Sequence, residues 1–354
     1  MEWSRLAGVA VVSSLLLALL AIDGAVSALQ PRLFRIAAYD GQWTIAHVAA
    51  DLPESRPDVA FMGASRVATL FDPGLVEREI EAADGVAIRA VNLAVTGANA
   101  DTCRLVLENL IGDDRRPRVI VYGVYELEML AGAKTLRQSL PYVSSVERLR
   151  DFADYADVSW RGRAWFLAEQ LFAVERDRRL IRDALEIMFD PDRFEHSLYR
   201  SGAPPPGEKG FHRVPVSFRD PDPDRPRREY AGPLSRPRFT LATVASLERF
   251  LDLARRRGID VILVDPPVTA RHRAFWRRHE DMERYVALVG DVAERRGVPL
   301  LELYENPGDL VPDEGFVDTH HTNELGAAIV SRELVARVLG ARFAVGRGRD
   351  GDRR

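Results

Sequence analysis

Asp58-Val59-Ala60-Phe61-Met62-Gly63-Ala64-Ser65-Arg66-Val67 is the stretch on which the fold turns. Four consecutive apolar residues closed by a glycine predict a strand buried on both faces that runs into a tight turn. Glycine permits the turn, and a serine two residues later would project its hydroxyl beyond the carboxyl end of a sheet. The same pattern recurs outward from here. Further strands are predicted at 85–93 (Val86, Ile88, Val91 and Leu93 apolar), 118–123, 259–264 (stopped by Pro266 and Pro267) and 298–303. Helical patterns at about 99–111, 240–257, 274–296 and 324–340 alternate with them. Short apolar strands alternating with such helices define parallel βαβ units. The predicted fold is therefore α/β, three layers (α/β/α) around a five-stranded parallel sheet.

The alternation fails between about 131 and 238. Residues 140–198 look helical, and 201–238 holds nine of the 21 prolines, including Pro204-Pro205-Pro206. That second part reads as an irregular surface stretch, neither strand nor helix. The expected organisation is an α/β domain over 50–341, interrupted by an insertion at 131–238 and followed by a disordered Arg/Gly/Asp-rich tail at 342–354. With 49 basic against 53 acidic residues, a net charge of −4 gives no support to a nucleic-acid binder. One cysteine, Cys103, excludes an intramolecular disulfide and any zinc site built from several thiolates.

From Leu6 to Ile22 the chain carries no charge and is dense in Leu, Ala and Val. Seventeen such residues reach the lower limit for a spanning helix. Val26-x-Ala28 also fits the small-residue rule of a signal-peptidase site. Residues 1–28 are thus either a cleaved signal peptide or an uncleaved membrane anchor. Both place the remaining chain outside the cytoplasmic membrane.

Two motifs carry candidate chemistry. Gly63-Ala64-Ser65 alone also fits an ordinary helix cap. It is not the Gly-x-Ser-x-Gly elbow, because Val67 stands where the second glycine belongs. The second motif is Asp318-Thr319-His320-His321-Thr322-Asn323, just before the last helix. Asp and His three residues apart on one turn can set a carboxylate beside an imidazole nitrogen, fixing its tautomer and stabilising its charged form. Asn323 would then cap the helix. The alternatives are a plain capped helix start, or a metal site using Asp318, His320 and His321, for which no further ligand cluster stands out. No metal or cofactor is expected.

Serine after the first strand with Asp-x-x-His before the last helix resembles the SGNH (GDSL-like) hydrolase superfamily, whose domain is flavodoxin-like. The closer resemblance is to its membrane-tethered extracytoplasmic branch of O-acetyltransferases and esterases. It covers about 55–125 and 255–340. It implies Ser65 as nucleophile, His321 as general base and Asp318 as its orienting acid, with backbone N–H groups of Ser65 and Gly97 in the oxyanion hole. The family's Asn after strand three is missing, for the chain reads Gly123-Val124-Tyr125-Glu126 there. An ionised Glu126 only accepts hydrogen bonds, and losing one oxyanion donor costs a factor of about 10²–10³. Asn99 substitutes, or backbone donors suffice, or activity is reduced or lost. Arg66 and Asp265 are candidate substrate contacts, although Asp265 before Pro266-Pro267 also fits a turn-forming role.

The function this implies is an extracytoplasmic serine esterase or O-acyltransferase, transferring acetyl in the first instance. It would act on cell-envelope or exported polysaccharide or on another acyl ester, with a membrane-bound acyl-transfer partner. The competing expectation is a non-catalytic carbohydrate-binding or assembly protein on the same scaffold.

Overall fold

The computed structural model describes residues 13–14, 16–29, 56–130, 209–218, 224–344 and part of 167–189. The sheet is built from β1 (Val59–Gly63), β2 (Ala90–Asn92), β3 (Val119–Gly123), β4 (Asp260–Asp265) and β5 (Leu300–Glu302). All pairings are parallel and the order is β2-β1-β3-β4-β5. Strands one, three and four are buried nearly throughout, which is why they read as unbroken apolar runs rather than alternating ones.

The pleat divides these runs between two helical layers. Val59 and Phe61 of β1, Val119 and Val121 of β3, and Ile262 and Val264 of β4 face one core. There they meet α1 (Ser65–Leu70), α2 (Pro73–Asp84) and α9 (Glu324–Leu334). On the opposite face lie α3 (Ala100–Asn109), α6 (Leu241–Arg256) and α8 (His279–Arg296), where Tyr122 packs on Phe250 with ring centroids 4.8 Å apart. The three-layer α/β/α arrangement is as expected. Strand two is shorter than the 85–93 predicted, because 85–89 forms the loop from α2.

Helix α2 did not stand out in the sequence, yet its ends are written there. Asp72 accepts from Leu75 N, Pro73 opens the first turn, and Gly85 closes the helix at φ 62°. Further on come the short helices α4 (Glu126–Met129) and α7 (Ala270–Arg273), and α5 (Arg225–Ser235). The last corrects the expectation of an irregular surface stretch at 201–238. Pro226 sits in the first turn, where a missing N–H costs nothing, and Tyr230 and Leu234 are buried. Residues 209–214 are likewise packed down: Asn92 N donates to Lys209 O, His212 N to Ala68 O and Glu324 N to Val214 O. Gly210, at φ 78°, lies so close to the Asn92 carbonyl that a side chain would collide with it.

The chain divides into two units, Met1–Ala38 with Ser144–His196 and Tyr39–Val143 with Ser197–Arg354. The sheet and the candidate site belong to the second. In the first, residues 16–29 are helical with Leu16, Leu17, Leu19, Leu20 and Ile22 exposed, and Val174 N donates to Asp23 Oδ1. Among the described residues no helix is long and apolar enough to cross a membrane. Residues 1–12 of the predicted signal or anchor, most of the helical pattern at 140–198, and 345–354 of the predicted tail lie outside the described residues. Residues 342–344 of the predicted tail are helical instead: Gly340–Ala344 forms a short helix that buries Phe343 against the core.

Candidate active site

In the order 2-1-3-4-5 the chain reverses its winding direction between β1 and β3, and ligand sites in such sheets form at the carboxyl ends there. Ser65 follows β1 at this point. Gly63 has φ 145°, and a Cβ on it would lie 2.6 Å from Val67 Cγ2 and 2.8 Å from Gly123 O. Only glycine lets the turn sit this tightly against the end of β3. Ser65 is the first residue of α1 and Ala64 its cap, with no side-chain cap bond. The hydroxyl is therefore not spent on capping. It meets His321 Nε2 at 2.9 Å.

His321 Nδ1 lies 2.8 Å from Asp318 Oδ2, while Asp318 Oδ1 accepts the backbone N–H groups of His320 (2.8 Å) and His321 (2.7 Å). Arg225 of α5 stands 3.6 Å from Oδ2. Burial alone would raise the Asp318 carboxyl, but His320, His321 and these hydrogen bonds outweigh it and hold it well below the usual range. Asn323 caps α9 as expected, accepting from Leu325 N and Gly326 N, and its own amide donates to Glu314 O. The sequence-predicted Ser65, His321 and Asp318 are thus brought into one hydrogen-bonded line. Such a line can deprotonate a serine hydroxyl and stabilise the resulting imidazolium.

The predicted oxyanion groups occupy the neighbouring turn. Val95 N donates to Gly63 O at 2.9 Å, and Ala98 N closes a turn on Val95 O with Gly97 at φ 70°. Asn99 caps α3, its carbonyl oxygen accepting from Thr102 N and Oγ1, so only its amide nitrogen is left to donate elsewhere.

Two of the candidate substrate contacts are corrected. Arg66 is 2% exposed and donates to both oxygens of Glu126, at 2.8 and 2.5 Å. Asp265 is equally buried and accepts from Tyr285 Oη at 2.7 Å. Burial pushes its carboxyl well up. Each is buried and paired inside the domain, although Arg66 Nε is left without a hydrogen-bond partner.

Sequence reasoning missed what lies behind the triad. His272, carried by α7 after the Pro266-Pro267 loop, places Nε2 2.7 Å from Glu126 Oε1 and Nδ1 3.1 Å from Thr319 Oγ1. Thr319 Oγ1 is 3.2 Å from His320 Nδ1. Thr269 N and Oγ1 both donate to Thr319 O at 3.0 Å, stitching the two loops together. Tyr230 of α5 covers the group, its ring 4.7 Å from those of His272 and His320. Burial lowers His320 well below the usual histidine value and also lowers His272, partly opposed by Glu126. His212, carried above α1, is pushed down to about 4 by burial and by the charge of His321.

Asp318, His320 and His321 also offer ligand atoms within 4.8 Å of one another. Those atoms are already engaged, in the line to Ser65 and with Thr319.

No protein-family model matches the sequence, and no curated protein matches it. Among solved structures the chain is similar to a lipase/acylhydrolase from Enterococcus faecalis, at 15% identity and a TM-score of 0.38, covering 79% of this chain and 95% of that one. It is also similar to a GDSL-like lipase from Bacteroides thetaiotaomicron, at 11% identity and a TM-score of 0.33, covering 84% and 95%.

Proposed function

We propose that this chain is a serine esterase or O-acyltransferase that works through an acyl-enzyme on Ser65. The observation that carries the reading is the continuous line Ser65 Oγ–His321 Nε2–His321 Nδ1–Asp318 Oδ2, at 2.9 and 2.8 Å. Ser65 Oγ attacks the acyl carbonyl while His321 takes its proton, and the oxyanion forms against the backbone N–H groups of Ser65 and Gly97. Collapse expels the alcohol, which recovers the proton from His321 and leaves the acyl group on Ser65. Water or a sugar hydroxyl then gives its proton to His321 and attacks the ester, freeing the serine. Water makes the protein an esterase; a bound hydroxyl makes it a transferase.

The apolar run at 6–22 and the resemblance to tethered SGNH proteins support a place outside the cytoplasmic membrane, an acetyl group as cargo, polysaccharide as acceptor and a membrane-bound acyl-transfer partner. The departure at Tyr125-Glu126 supports a second reading, a carbohydrate-binding or assembly protein without turnover. Intact mass after treatment with a fluorophosphonate separates them. One adduct on the wild-type chain, absent from Ser65→Ala and His321→Ala, is the expected result. A folded wild-type chain that takes no adduct would overturn the catalytic reading.

A further inference from the structure

Arg66, Glu126, His272, Thr319 and His320 form an unbroken buried line that ends beside the candidate base, and each is no more than 5% exposed. Burying this many polar groups is costly unless every partner is matched. The triad as read above makes no use of them. Their hydrogens can be placed from one end. Burial pushes Glu126 up, but Arg66 and His272 overcome it and bring its carboxyl down to about 2, so it is ionised and only accepts. The proton in the 2.7 Å contact therefore belongs to His272 Nε2.

The rest follows link by link. His272 is neutral, so its Nδ1 is a lone pair and the Thr319 hydroxyl must donate to it at 3.1 Å. Thr319 Oγ1 then has only lone pairs to offer, and the 3.2 Å contact with His320 requires a hydrogen on His320 Nδ1. His320 Nδ1 also lies 3.4 Å from Asp318 Oδ1, close enough for its N–H dipole to favour the carboxylate although the hydrogen bond itself goes to Thr319; that oxygen is already held by two backbone donors. The opposite His320 tautomer would turn a lone pair on the carboxylate.

We propose that this relay positions the base of the triad: Glu126, paired with Arg66, sets the tautomer of His272, and through Thr319 that of His320, whose Nδ1–H then sets a positive edge beside Asp318 Oδ1 and leaves Oδ2 to His321. Glu126, His272 and Thr319 are positioning residues and touch no substrate. This rests on the acyl-transfer reading for its effect on rate, but the tautomers stand independently of it. The remaining groups around the dyad are Arg225 beside Asp318, and Ser65, His212 and the His320 ring beside His321.

The test uses the full chain and two variants. Thr319→Val removes the hydroxyl while keeping the shape, and Thr319→Ser keeps the hydroxyl. Imidazole ¹⁵N spectra of the wild type should give hydrogen on Nε2 of His272 and on Nδ1 of His320. In Thr319→Val, His320 moves to the Nε2–H form and fluorophosphonate labelling of Ser65 slows about tenfold, the worth of one hydrogen bond. Thr319→Ser restores both. A wild-type His320 protonated at Nε2 overturns the relay whatever the variants do, even if Thr319→Val fails to fold. So does a folded Thr319→Val with wild-type tautomers and rate. A wild type that shows the predicted tautomers but takes no label keeps the relay as structure and removes the acyl-transfer reading.

Discussion

Ser65 Oγ and His321 Nε2 meet at 2.9 Å although 256 residues separate them in the chain. The serine is fixed by the glycine turn after β1, and the histidine by a loop whose every turn is tied, through Asp318, Thr269 and Asn323. The contact is thus a product of two rigid supports rather than of a flexible loop reaching over.

Asp318→Asn tests the orienting carboxylate. An amide at this position can present a donor to His321 Nδ1 and favour the wrong imidazole tautomer. Labelling of Ser65 by a fluorophosphonate should slow by about 10⁴-fold, as for the equivalent change in serine proteases. A rate within a factor of a few of wild type would remove Asp318 from the triad.

Gly63→Ala probes the turn. The substitution combines a φ of 145° with a Cβ 2.6 Å from Val67 and 2.8 Å from a carbonyl. Strain of this kind costs on the order of 1–3 kcal/mol before the overlap is counted. The variant should melt far below the wild type and take no label. Gly290→Ala, in α8 with open space around it, should instead gain about 0.5–1 kcal/mol in denaturant unfolding.

Arg66→Met leaves the Glu126 carboxylate buried without its bidentate partner. Breaking such a pair from one side costs about 3–5 kcal/mol, read as a fall in the urea midpoint. A small effect would mean that water reaches Glu126.

Acid should weaken the fold in two stages. His212 is held neutral down to about 4 when folded and binds a proton near 6.5 when unfolded. The unfolded state thus takes up more protons between these values, and stability present above about 6.5 is lost as pH falls towards about 4, by about 3 kcal/mol. His272 and His320, also lowered, add to this window. Glu126, brought down to about 2, contributes stability that is present above about 4.5 and lost below it. Unfolding followed from pH 7 to 3 should show the first decline reduced in His212→Leu, whose replaced Nδ1 is buried without a hydrogen-bond partner. An unchanged decline would acquit His212.

The strands were legible because a parallel sheet covered on both sides needs uninterrupted apolar residues, and β1, β3 and β4 have them. Asp318 and His321 were legible because their spacing is local, and Ser65 because it follows a strand-ending glycine. The relay was not. Arg66 and Glu126 look like surface charges along the chain, and their burial depends on partners 60 and 206 positions away. Helix α5 was hidden for a different reason: its prolines resemble loop punctuation, and although Pro226 sits harmlessly in the first turn, Pro233 lies inside the helix, where proline argues against one.

The order β2-β1-β3-β4-β5 also sets a timetable. Ser65 leaves the ribosome with the first strand, but its partner belongs to the loop after the fifth. Until nearly the whole chain has been made, the hydroxyl lacks its His321 partner. A growing or truncated chain therefore lacks the Ser65–His321 contact, which only the completed chain can make.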